Sequence, residues 1–132
     1  MINLIQKTEQ LNVQPKLRQG PQLRCLIAND IEFVLISYQM VLKQYFVHVD
    51  GAENGIAALD HVQSHPIDYY DYIFLDINMP IMNGVEACAA ISRYLREKTL
   101  KNLISVSDQP IKRHKRPKII AVTADIRKEK IA

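Results

Sequence analysis

Two carboxylates and a hydroxyl stand where apolar runs end: Asp30 shortly after LRCLIA, Asp76 after YIFL, and Thr123 after KIIAV. In an open parallel sheet the carboxyl ends of the strands border a crevice in which ligands bind. Two acids converging there repel each other unless a cation sits between them. Oxygen donors without paired His or Cys suit a hard ion such as Mg2+ rather than zinc. A cation beside a carboxylate, with a hydroxyl near, would stabilise charge on a transferring phosphoryl group; without phosphate chemistry the same arrangement is a divalent-ion site. Position alone does not decide, because an Asp after a strand is as often a turn former.

These groups need elements that carry them to one edge. Tyr72, Ile73, Phe74 and Leu75 form a continuous apolar run, which predicts a strand covered on both sheet faces and ending at Asp76. Residues 23–28 read as the first strand and 47–49 as a short second one. Phe33, Val34, Ile36, Val41, Leu42 and Tyr45 predict a helix over 31–46, with Asp30 accepting first-turn backbone N–H bonds. A second helix begins at Asn54, carries Ile56, Leu59 and Val62 at helical spacing, and stops before Pro66. After Gly84 a third runs to about Arg96, with Val85, Cys88, Ala89, Ile91, Ser92 and Leu95 on its inner side. Residues 118–122 are the fourth strand. Strands alternating with helices of this length imply an α/β fold, a three-layer open parallel sheet with right-handed crossovers.

The 132 residues, 48% hydrophobic, suffice for one domain with its own core. No run approaches the roughly 18 apolar residues of a membrane span, so direct membrane insertion is not expected. Cys25 and Cys88 lack ligand spacing and read as buried free thiols, which suits a reducing compartment. His48, His61, His65 and His114 are too dispersed for a metal cluster. The net charge of +3 divides unevenly: residues 1–95 carry a net −4 and residues 96–132 a net +7. Residues 1–21 are polar, with Pro15, Gly20 and Pro21, and read as a linker or amino-terminal extension.

Four fragments taken together, LIAND, AENGIAAL, YIFLDINMPIMNG and IIAVTA, resemble the receiver domain of two-component response regulators and hybrid histidine kinases, across roughly residues 22–126. The resemblance implies a flavodoxin-like (CheY-like) sheet with strand order 2-1-3-4. It implies that Asp76 accepts a phosphoryl group from the phosphohistidine of a histidine kinase or histidine phosphotransfer domain. Asp30 would hold Mg2+ together with Asp76 and the backbone carbonyl of Asn78. Asn29 occupies the place where receivers usually carry the first acid of a pair. Thr123 would be the switch hydroxyl, with small Ala124 leaving room for phosphate. Such a module is a phosphoacceptor with self-catalysed transfer and slow autodephosphorylation rather than a conventional enzyme. Its expected location is cytoplasmic, including as the cytosolic module of a larger membrane-bound kinase.

The sequence departs from that family in two places. Receivers have a fifth strand ending in a Lys that pairs with the phosphoacceptor; none follows Ala124 before Ala132, so the domain over 22–132 is expected to lack strand five, helix five and that Lys. The fourth strand would then be an open edge, inviting self-association. A receiver without that Lys has an alternative role as a phosphorylation-incompetent interaction module. The second departure is the connection over 97–117, far longer than the usual span of about 2 to 6 residues. Leu100, Leu103, Ile104 and Val106 would tether its first half, and Lys112, Arg113, His114, Lys115 and Arg116 form a basic run. A solvated insert is the favoured reading. Nucleic-acid binding is not expected, because no aromatic interleaving accompanies the charges.

Overall fold

In the computed structural model, residues 21–105 and 115–123 are described. Strand β1 (Arg24–Ala28) leads to helix α1 (Glu32–Leu42), strand β2 (His48–Ala52), helix α2 (Gly55–Gln63), strand β3 (Tyr72–Asp76), helix α3 (Gly84–Ser105) and strand β4 (Lys118–Val122). All strand pairs are parallel and the sheet order is β2-β1-β3-β4. This is the expected α/β architecture.

The alternating pleat divides the sheet into two unequal faces. Leu26, Ala28, Ile73 and Leu75 join Ala58 and Val62 of α2 and Ala87, Ile91 and Leu95 of α3 in one buried core. Side chains of opposite parity, Ile27 and Phe74, face Tyr38, Val41 and Leu42 of α1. That second face is only partly covered, and no residue of α1 is buried. Phe46, just past α1, meets Tyr72 and Phe74 edge-on, with ring centroids 5.7 and 6.2 Å apart.

Several expected boundaries shift, each for a physical reason. Strand β2 extends through Ala52 rather than stopping at 49, because it pairs with β1 along all five residues and carries Asp50 and Gly51 with it. Helix α1 ends at Leu42, and its N-cap Ile31 makes no side-chain capping bond; Asp30 therefore does not cap it. The third strand is not covered equally on both faces: Ile73 and Leu75 are buried while Phe74 is half-buried. Helix α3 runs nine residues past the expected end at Arg96, since neither Gly nor Pro interrupts 96–105. The connection to β4 is thus 106–117, and Val106 together with Lys112, Arg113 and His114 lies outside the described residues. Leu100, Leu103 and Ile104 do not tether a loop but are exposed on the helix.

The inner stripe of α3 is also rotated from expectation. Gly84, Ala87, Ile91 and Leu95 are the buried positions, spaced three and four apart. Val85, Cys88 and Ala89 instead line an open apolar groove beside Ile119 and Ala121 of β4. Sequence hydrophobicity ranked valine above alanine, whereas the close helix–sheet approach selects the smaller side chain.

A polar brace joins the edge strand to the core. The phenol of Tyr70, 4% exposed, donates a hydrogen bond to the Asp50 carboxylate on β2. Burial, then that bond and the adjacent charge, push the Tyr70 phenol far above its ordinary range. Burial first, and the Asp50 charge second, push the Cys25 thiol up from 9.0 to about 12. Both groups stay protonated in the native state at pH values where the unfolded chain releases its protons. Their contribution to stability is therefore full below pH 9 and is lost as pH rises from 9 toward 12. Urea unfolding across the alkaline range should show this decline, and Cys25→Ala should flatten it; an undiminished slope in that variant would remove the thiol from the account.

Candidate functional site

Register builds the site edge. Ala28 pairs with Leu75, Leu75 with Ala121, and Asp76 with Val122. Asn29 consequently follows β1 at the level of Asp76, while Asp30 and Thr123 stand one residue beyond it on the two flanking strands. Neighbouring strands lie about 4.8 Å apart, so these residues share one end of the sheet. Asp76 is half-buried; Asp30 and Thr123 are exposed.

Asn29 is the buried polar residue of this edge, 5% exposed. Its backbone N–H donates to the Ala52 carbonyl at 3.0 Å, and its side-chain oxygen accepts from the Ile31 N–H at 3.0 Å. The amide thus closes the turn into α1, a task that had been expected of Asp30. Asp30 itself lines an open cleft of about 540 Å³ with Glu32, Glu53 and His61. Asp76, Asn78 and Thr123 lie outside that cleft's lining.

The segment after Asp76 is held at several points. The Asn78 N–H donates to Asp76 Oδ1 at 3.3 Å. Met79 is buried beneath the loop. The Met82 N–H donates to the Pro80 carbonyl at 2.7 Å around Ile81, whose φ is 70°. This is a three-residue turn with its centre in the left-handed region, a costly conformation for a β-branched residue. Ile81 was not singled out by its sequence context, because isoleucine carries no signal for positive φ.

Two glycines fit this loop against its surroundings. The Gly84 N–H donates to the Ile77 carbonyl at 3.1 Å, and a Cβ on Gly84 would lie 2.3 Å from the Asp76 carbonyl oxygen. The Gly55 N–H donates to the Met82 carbonyl at 3.1 Å, and a Cβ there would lie 2.5 Å from that same oxygen. In each case the obstacle is backbone, so α2 and α3 can begin where they do only without a side chain. Asn83 and Glu86 form a reciprocal cap at the start of α3: Asn83 Oδ1 accepts from the Glu86 N–H at 2.8 Å and Glu86 Oε1 from the Asn83 N–H at 3.3 Å. The Asn-x-x-Glu spacing that signals this cap was present in the sequence.

Among the described residues, no group of three His, Cys, Asp or Glu side chains is arranged to hold a metal ion. Asp30 and Asp76 offer two carboxylates, and the Asn29 amide is already engaged with Ile31. Two carboxylates with a backbone carbonyl and water suit Mg2+, which retains much of its hydration shell and takes few protein ligands. The donor set fits that ion.

A parallel sheet of order 2-1-3-4 with helices on both faces and acids at its carboxyl edge defines a flavodoxin-like α/β module. The family model for the response regulator receiver domain matches residues 25–109, and the chain belongs to that family. It is 33% identical over 120 residues to hybrid signal transduction histidine kinase B of Dictyostelium discoideum, covering 90% of this chain and 6% of that protein. The receiver domain of the Arabidopsis thaliana histidine kinase CKI1, solved with Mg2+ and BeF3−, shares 27% identity at a TM-score of 0.51, covering 82% of this chain and 70% of that one. The receiver domain of Ssk1 bound to the histidine phosphotransfer protein Ypd1, from Saccharomyces cerevisiae, has the same fold, with a TM-score of 0.63, 20% identity, and coverage of 83% and 68%. The chain thus spans only a small part of the curated kinases it matches.

The strained turn yields a stability test. Ile81 is 76% exposed, so its side chain contributes little packing to offset its backbone conformation. Ile81→Gly should raise unfolding free energy by about 1 kcal/mol, the left-handed penalty exceeding the added chain entropy of glycine. A urea melt reads the change, and a fall in stability would show that the turn carries no such strain.

Proposed function

We propose that this domain is a phosphorelay receiver in which Asp76 accepts a phosphoryl group and Thr123 reports its arrival. The observation that carries this reading is the register placing Asp76 between Asp30 and Thr123 at one sheet end. An Asp76 carboxylate oxygen attacks phosphorus, the P–N bond to a donor phosphohistidine breaks, and the electron pair leaves with the imidazole. The donor is a histidine kinase or a histidine phosphotransfer domain, the class of partner seen with the yeast receiver. Asp30, Asp76 and the Asn78 carbonyl would hold Mg2+, which when bound neutralises charge on the transferring group. The Asn78 N–H, already directed at the Asp76 carboxylate, orients the attacking group.

Phosphorylation turns the singly charged Asp76 carboxylate into an acyl phosphate of about −2, a net gain of about −1, and adds acceptor oxygens. The Thr123 hydroxyl donates to one of those oxygens, and the end of β4 moves with it. The working unit is the receiver region after residue 21, acting in the cytoplasm as one module of a hybrid kinase. Among the described residues β4 is the last strand of the sheet, with Ile120 40% exposed, which supports self-association through that strand. A second reading, an interaction module without phosphate chemistry, is favoured by the amide at position 29 in place of an acid.

Incubation with phosphoramidate and Mg2+, followed by intact-mass measurement, separates the two readings. Phosphoacceptance adds about 80 Da, carrying the phosphoryl charge described above, and Asp76→Asn abolishes it. A folded chain that gains no mass is the interaction module, and native mass spectra of the same sample read out dimers. Asn29→Asp tests the metal assignment without activity. An aspartate keeps the bond to the Ile31 N–H but adds a carboxylate, so it should lower the thermal midpoint without Mg2+ and bind the ion roughly tenfold more tightly. Thermal unfolding with and without Mg2+ should then show a larger metal-dependent rise than the parent; an equal rise would place the ion elsewhere.

A further inference from the structure

Helix α3 is too long for the sheet it packs on. Its 22 residues span about 33 Å, whereas a five-residue strand such as β3 spans about 17 Å. The helix starts against Asp76 at the carboxyl edge and runs antiparallel to the strands, so its surplus projects beyond the opposite edge. After Leu95 no described residue of it is buried.

That projection has a distinct outer face. Leu100, Leu103 and Ile104 are 53%, 42% and 84% exposed and recur at i, i+3 and i+4. At about 100° per residue they centre roughly 180° from the buried stripe of Gly84, Ala87, Ile91 and Leu95. Arg93 and Arg96 are exposed on this same outer face, with Lys101 at its margin and Glu97 the acid among them. Lys115, Arg116 and Lys118 are exposed as well, at the amino end of β4, hence at the same pole of the domain.

We propose that this pole docks on an anionic lipid surface. Charge complementarity selects the occupant. Six arginines and lysines at this pole and on the outer face outnumber the acids Asp68, Asp71 and Glu97 there, and with the apolar triad make the combination that holds an amphipathic helix at a headgroup layer. The last turns of the helix carry three exposed apolar residues, a small apolar area that suits a deformable layer. Docking through this pole leaves the edge bearing Asp76 turned away from the surface. The inference is independent of the phosphoryl chemistry, since it uses neither Asp76 nor Thr123.

Co-sedimentation of the 132-residue chain with phosphatidylcholine vesicles, with and without about one-third phosphatidylserine, tests this. The expected result is binding to the anionic vesicles alone, released by added salt. Leu100→Ser/Leu103→Ser/Ile104→Ser should weaken it at least about tenfold, and Arg93→Gln/Arg96→Gln roughly tenfold or more. Circular dichroism and the thermal midpoint should stay unchanged in the arginine variant, whose substituted side chains are exposed. Absence of binding to anionic vesicles, or undiminished binding by both variants, overturns the proposal. Displacement from the vesicles by duplex DNA at equal charge concentration also overturns it and assigns the pole to nucleic acid.

Discussion

The parallel register of β1, β3 and β4 is the constraint on which the rest of the domain depends. Because Ala28, Leu75 and Ala121 lie side by side, the three chains leave the sheet together. A shift of one residue in any strand would exchange its buried and exposed side chains, so the core and the polar edge are specified by the same alignment. Burial of Leu26, Ile73 and Leu75 against α2 and α3 therefore fixes the level at which Asp76 emerges. Packing energy and chemical geometry are two results of one pairing.

The two sides of the sheet perform different work. On one, small residues of α2 and α3 approach closely and the interior is almost wholly apolar. On the other, α1 contributes half-buried Tyr38 and Leu42, while Phe33 and Met40 are 80% and 66% exposed. The close side accounts for the two glycines against the Asp76 loop, since helices drawn tightly onto a sheet leave no room for side chains at their first turns. Among the described residues, the α1 side is the less covered of the two.

Much of the architecture was legible in the sequence because its strongest signals are local. The run ending at Asp76, the helical spacing after Asn54 and the sequence KIIAV each specify an element without reference to distant residues. Sheet order came from the resemblance to receiver domains, while the common end of Asp30, Asp76 and Thr123 follows from the alternation of strands and helices. Less was legible where tertiary partners decide. Asp50 and Gly51 look like a turn in isolation but are held in β2 by its full pairing with β1. Alanine rather than valine faces the sheet from α3 because the interaxial distance, invisible in composition, sets the allowed volume. The continuation of α3 beyond Arg96 was masked by its charge, although nothing in 96–105 breaks a helix. At the site itself the residue types were readable, whereas the engagement of Asn29 with Ile31 and the left-handed Ile81 were not.

The contact between Gly84 and the Asp76 peptide has a mechanical consequence. With the Gly84 amide bonded to the Ile77 carbonyl and no side chain as a cushion, the peptide plane after Asp76 is the fulcrum on which α3 rests. A rod of about 33 Å pivoting there amplifies small rotations: a tilt of about 2° moves its far tip by about 1 Å. The far tip would move about twice as far as buried Leu95, so the core residues of the helix limit how far it can tilt.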